Sequence, residues 1–164
     1  MGKYTFNMTA RDIANEKRIM AQFIQFMGPS RFEAEKVTEA IDDTTPEFSG
    51  EYTVIPDFQI LLNKSVIGYA EAKQRTLSEA GLKRLGGIFL AEQKYDLLME
   101  KVPEYRCVFV AGLKHGVFGY HSINDDRIVK RFIGGGGATN RNSPDDLEPM
   151  VVFDPRQFKV FHRP

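Results

Sequence analysis

Two apolar runs, Tyr52-Thr53-Val54-Ile55-Pro56-Asp57-Phe58-Gln59-Ile60-Leu61-Leu62 and Val66-Ile67-Gly68-Tyr69-Ala70-Glu71-Ala72-Lys73, flank the turn-like segment Asn63-Lys64-Ser65. Both runs are rich in Val, Ile, Phe and Tyr, so the pattern predicts a β-hairpin. Side chains alternate across a strand, which places Glu71 and Lys73 on one face and Ala72 on the other. Charges inside such segments are costly to desolvate unless they meet one another, a metal ion or ordered water. The hairpin therefore constrains the fold and the position of a candidate site together.

Register decides whether Asp57 joins Glu71. A two-residue loop that pairs Leu62 with Ser65 would set Asp57 opposite Ala70, facing away from Glu71. A three-residue loop would set it opposite Glu71. An odd loop is expected, or else a bulge near Pro56, which has no N–H to give to a ladder.

Two carboxylates with water in the remaining positions suit Mg²⁺ or Mn²⁺, which take few protein ligands and keep several waters. The chemistry implied is metal-assisted phosphodiester hydrolysis. In it the ion polarises a phosphoryl oxygen and lowers the pKa of the attacking water, while Lys73, on the face of Glu71, supports developing negative charge.

Pro56-Asp57, then Glu71-Ala72-Lys73 after thirteen intervening residues, resembles the PD-(D/E)XK nuclease superfamily. A second acid-x-Lys triplet, Glu92-Gln93-Lys94, occurs, so the first takes its meaning from its place at the end of an apolar strand. The resemblance implies an α/β fold of the restriction-endonuclease-like or Holliday-junction-resolvase-like kind, a central mixed sheet flanked by helices. It also implies a Mg²⁺-dependent endonuclease acting on DNA, with Asp57 and Glu71 on the metal and Lys73 serving the water. Many such nucleases work as dimers, so a homodimer is a further expectation.

Thr9 to Met27 reads as a helix, with Thr9 as N-cap and Asp12 completing a capping-box pattern. Ile13, Met20, Phe23 and Met27 fall at helical spacing, and Glu16 occupies the missing place in that stripe, so it points inward. It resembles the acid that many members of the superfamily carry on this helix, which makes Glu16 a candidate third metal ligand.

Beyond Lys73, the basic residues Arg75, Lys83 and Arg84 follow closely, where Arg and Lys can hold phosphate oxygens whatever the base. Gly81, Gly86 and Gly87 make this stretch a loop or broken helix. A second helix is expected from Ile88 to about Lys101, with Ile88, Ala91, Tyr95, Leu98 and Val102 as its core stripe. Related nucleases place a Gln or Lys on this helix; Gln93 is the candidate and Lys94 the substitute. Cys107 to Ala111 fits a strand buried on both faces, Lys114-His115-Gly116 a turn, and Val117 to Ile123 a returning strand. Met150 to Phe153 and Phe158 to Phe161 look like short closing strands.

Other classes find less support. Gly134 to Gly137 lacks the Gly-Lys-Ser/Thr of a phosphate-binding P-loop, and His115 and His121 lack zinc-site spacing. The 134–144 segment reads as a mobile loop with Arg141 at its tip, within a C-terminal extension (124–164) to a core over about 9–123. One domain is expected, since a chain of 164 residues buries roughly 70% of its unfolded surface. One cysteine excludes an internal disulfide, and no apolar stretch approaches the length of a membrane span, so a cytoplasmic protein is expected; the small size suggests a bacterial or phage origin. Net charge is zero, yet residues 33–57 carry eight acids against one base, Lys36, and residues 127–164 carry seven bases against four acids. That segregation suits an acidic metal pocket with basic flanks for a nucleic-acid backbone, and it makes Asp43 and Glu47 possible extra ligands.

Overall fold

A mixed six-stranded sheet forms the centre of the computed structural model, which describes residues 4–7, 10–37, 47–50, 56–125, 128–134 and 148–164. In chain order the elements are β1 (Tyr4–Asn7), α1 (Ala10–Met27), β2 (Phe32–Lys36), β3 (Glu47–Gly50), β4 (Phe58–Leu62), β5 (Ser65–Gln74) and α2 (Glu79–Leu85). They continue with β6 (Ile88–Ala91), α3 (Glu92–Lys101), β7 (Arg106–Gly112), β8 (Phe118–Ser122), β9 (Ile128–Gly134), β10 (Glu148–Phe153) and β11 (Lys159–His162). The central order is β11-β8-β7-β5-β4-β2, with β5 and β7 parallel and every other pair antiparallel. A second antiparallel sheet runs β6-β10-β9, and β1 pairs with β3. The fold is thus α/β with a mixed sheet flanked by helices.

The hairpin forms with the strict two-residue loop, not the odd one expected. Leu62 pairs with Ser65, and Asn63 and Lys64 both take positive φ (50° and 70°), the conformation whose twist matches two antiparallel strands. A bulge then corrects the register, and it lies on β5 rather than near Pro56. Leu61 faces Val66 while Ile60 faces Gly68, so Ile67 is the extra residue. From there Phe58 pairs with Ala70, and just before β4 the Asp57 backbone N reaches the Glu71 carboxylate. Gly68 is required at the bulge, because a Cβ there would run into the Arg106 carbonyl of β7.

Two apolar layers cover the sheet. Ile19, Met20 and Phe23 of α1 pack with Phe58, Ile60, Ala70, Ala72 and Val110 on one face. Tyr95 and Leu98 of α3 pack with Cys107, Phe109, Val151 and Phe153 on the other. Of the expected α1 stripe, Ile13, Glu16, Met20 and Phe23 are buried and Met27 is half-buried; Ile19, outside that stripe, is fully buried. Thr9 lies outside the described residues.

The helix expected from Ile88 starts four residues later. Ile88 to Ala91 instead form β6, whose alternate residues Ile88 and Leu90 are buried and which pairs with Met150 to Phe153 of β10. Gly87 makes the approach possible: it holds φ at 137°, and a Cβ there would strike the Phe153 carbonyl. Before it, α2 is a short helix with Ser78 accepting from Gly81 N at its start and Gly86 in the left-handed region at its end. Residues Phe32 to Lys36, part of the acidic stretch, form edge strand β2 with Glu33 and Glu35 exposed. Among the described residues no helix is long and apolar enough to cross a membrane.

Candidate active site

Asp57, Glu71, Lys73 and Lys94 meet at the end of the β4–β5 hairpin, on the face that α3 covers. Asp57 is 3% exposed and Glu71 fully buried. The Asp57 backbone N donates to Glu71 Oε1 at 3.1 Å, and Ala72 N donates to Asp57 Oδ2 at 3.5 Å. These bonds follow from the bulged register and hold the two carboxylates at one level of the sheet.

One cation touches both acids. Lys94 Nζ lies 3.4 Å from Asp57 Oδ1 and 3.3 Å from Glu71 Oε1. Lys73 Nζ stands 3.9 Å from Asp57 Oδ2 and 3.5 Å from Glu16 Oε1, and Lys36 Nζ reaches Glu16 Oε2 at 3.3 Å. Three carboxylates and three ammonium groups therefore alternate, which limits the cost of burying them.

The charges act unequally on the three acids. Burial pushes Asp57 up, but Lys73 and Lys94 outweigh it and hold that carboxyl well below the ordinary range. Glu71 goes the other way, raised well above the usual value by complete burial and by the Asp57 charge, which Lys94 offsets only in part. Burial also raises Glu16 against the pull of Lys73. Burial favours a neutral Lys73, yet Asp57, Glu16 and Glu71 overcome it and raise its pKa.

The arrangement fits a divalent ion held by two protein ligands. Asp57 and Glu71 already converge on one positive charge, and Glu71 Oε2 is buried with no hydrogen-bond partner among the described residues. Glu16 stands apart, across Lys73: among the described residues no group of three or more His, Cys, Asp or Glu side chains is gathered to hold a metal. The structure thus places Glu16 next to the catalytic-lysine candidate, accepting from Lys73.

Other candidates fall in different places. Gln93 is exposed and Lys94 takes the inward position, because α3 begins at Glu92 and its buried residues Tyr95 and Leu98 set Lys94 beside the core. Arg75 is turned inward, donating to the Phe89 carbonyl at 2.6 Å, and burial lowers its pKa to about 10. Lys83 and Arg84 are exposed on α2. Arg141 and Asp43 lie outside the described residues, and Glu47 is placed by its backbone in β3. Lys36 was not singled out by sequence; its signal was that it is the one base among eight acids in residues 33–57.

Compared with protein-family models, with curated proteins and with solved structures, the chain matches none of them.

Proposed function

We propose that this chain is a Mg²⁺- or Mn²⁺-dependent nuclease of the PD-(D/E)XK kind, with a restriction-endonuclease-like core, that hydrolyses phosphodiester bonds of DNA. The observation that carries the reading is the meeting of the Asp57 and Glu71 carboxylates on a single cation, with Lys73 on the same face of the strand end. Asp57 and Glu71 would hold the ion, which would supply Lewis acidity toward a phosphoryl oxygen and a more acidic water. Lys73, kept protonated by Asp57 and Glu16, donates to the oxygen on which negative charge develops. Glu16 and Lys36 position that ammonium, Glu16 by accepting from both lysines. Lys94 neutralises the two acids before an ion enters.

The test is incubation of the chain with plasmid, branched and single-stranded DNA in Mg²⁺, Mn²⁺ or EDTA. Cleavage that needs the metal and is lost in Asp57→Asn supports the reading, and equal cutting in EDTA sinks it.

The balanced alternation of three acids and three lysines favours a second reading: a non-catalytic nucleic-acid-binding or regulatory protein that keeps the fold and uses these charges as a structural network. Divalent-metal titration separates the two. Saturable binding that Asp57→Asn abolishes belongs to the nuclease, and no binding belongs to the network.

A further inference from the structure

We propose that the cleft beyond the C-terminal ends of β5 and β7 is a phosphate site for the backbone of the bound nucleic-acid strand, with Arg84 and Lys114 as its cations. The proposal rests on the nuclease reading and adds the surface that would hold the substrate.

β5 and β7 run parallel to their last pair, Gln74 with Gly112, and the carboxyl ends of parallel strands are where open α/β sheets present ligand sites. Two chain exits leave there. One passes through Arg75–Ser78 into α2, and the other passes through Leu113 into the turn at Lys114–Gly116. They are stitched together by Arg75 N donating to the Gly112 carbonyl at 2.8 Å and Lys114 N donating to the Leu77 carbonyl at 2.9 Å. Between them lies a cavity of about 310 Å³, lined by the polar Thr76, Ser78, Arg84 and Lys114 and by the apolar Leu77 and Leu85. His115 and Gly116 take left-handed φ (64° and 69°), which makes the turn tight and leaves Lys114 exposed at the cavity.

Two cations from separate elements, Arg84 of α2 and Lys114 of the turn, line this cleft. Arg163 is bidentate on Glu79, Arg156 pairs with Asp154, Arg131 pairs with Glu92, and Arg75 is held by the Phe89 carbonyl. Among the described residues neither Arg84 nor Lys114 makes an ion pair, although both line one cavity from separate elements. Glu79, the acid nearest in sequence, is taken by Arg163 and leaves the field of the cleft uncancelled. Ser78 Oγ accepts from Gly81 N and keeps its own O–H to donate. Among the described residues no aromatic side chain lines the cavity, so none there offers a surface for stacking a base. Two cations with hydroxyl donors and no stacking platform suit a phosphodiester, read without regard to sequence. Thr76 follows Lys73 by three residues, so the two Cα atoms are at most about 11 Å apart.

The experiment is the salt dependence of binding to a fluorescent duplex in EDTA, read by anisotropy. The proteins are wild type, Arg84→Gln, Lys114→Gln, the double variant, and Arg106→Gln at the opposite end of β7. Each phosphate contact contributes about 0.9 to the slope of log affinity against log salt. Each single variant is expected to lower the slope by about one unit, the double variant by about two, and Arg106→Gln not at all, with thermal midpoints matching wild type. An unchanged slope in the double variant overturns the proposal. A double variant that loses only ³¹P line broadening of inorganic phosphate, with its DNA slope intact, assigns the cleft to free phosphate and overturns it too. Metal-dependent cutting by wild type leaves the nuclease reading standing in either case. A wild type that neither binds nor cuts DNA removes both.

Discussion

Glu71→Gln removes an ionisable carboxyl from the most buried position of the site and should make the metal-free protein more stable at neutral pH. Glu71 is a carboxyl whose folded pKa lies above its ordinary 4.5, through burial first and the Asp57 charge second. Such a group binds its proton more tightly folded than unfolded. Its contribution is fully present below about pH 4.5 and falls as pH rises from there until the raised pKa is passed. The slope in that window is about 1.4 kcal/mol per pH unit for one group, or about 3–6 °C of melting temperature per unit for a chain of this length. Asp57 does not blur the result. Its pKa is lowered from 3.8, so its contribution is present above that value and is lost only as pH falls below it. Glu16, also raised, is common to both proteins and cancels in the comparison. The introduced amide can stand where a protonated carboxyl would, donating to Asp57. Thermal melts of wild type and Glu71→Gln in EDTA, from about pH 5 to about pH 8, should therefore converge at the acid end and separate at the alkaline end, with the variant melting higher. Adding Mg²⁺ at about a hundredfold over its dissociation constant should raise the wild type by about 2.7 kcal/mol and leave the variant nearly unmoved. Parallel pH profiles for the two proteins, or a variant that loses ground as pH rises, would refute the account of Glu71.

Lys73→Ala should keep metal binding and lose the cutting step by about 10²–10³-fold, as when one stabilising donor is removed from a transition state; single-turnover cleavage at the wild-type rate would count against its role. Ca²⁺ in place of Mg²⁺ should support DNA binding better than cleavage, since its larger and looser shell positions a water poorly, and gel shift beside a cleavage assay measures both. Gly68→Ala should cost about 1–3 kcal/mol by forcing β5 and β7 apart at the bulge, seen as a lower urea midpoint, and an unchanged midpoint would show that the strands give way freely.

The sequence by itself determined the hairpin, the strand at Cys107 to Ala111, the inward Glu16 and the presence of charges that needed partners, because alternation and helical spacing are local properties. It did not determine how those charges would meet. Asn63-Lys64 is compatible with either loop length, and the bulge at Ile67 depends on the close passage of β7 along Gly68, a contact between residues about forty positions apart. The choice of Lys94 over Gln93 likewise followed from β6. The run Ile88 to Ala91 is short enough to be helix or strand, and only its pairing with β10, some sixty residues on, makes it a strand and so fixes the phase of α3. Local patterning thus selected the residues that must be buried or paired, while packing between distant segments decided which charges face one another, since the cost of burying a charge is settled only by its final neighbours.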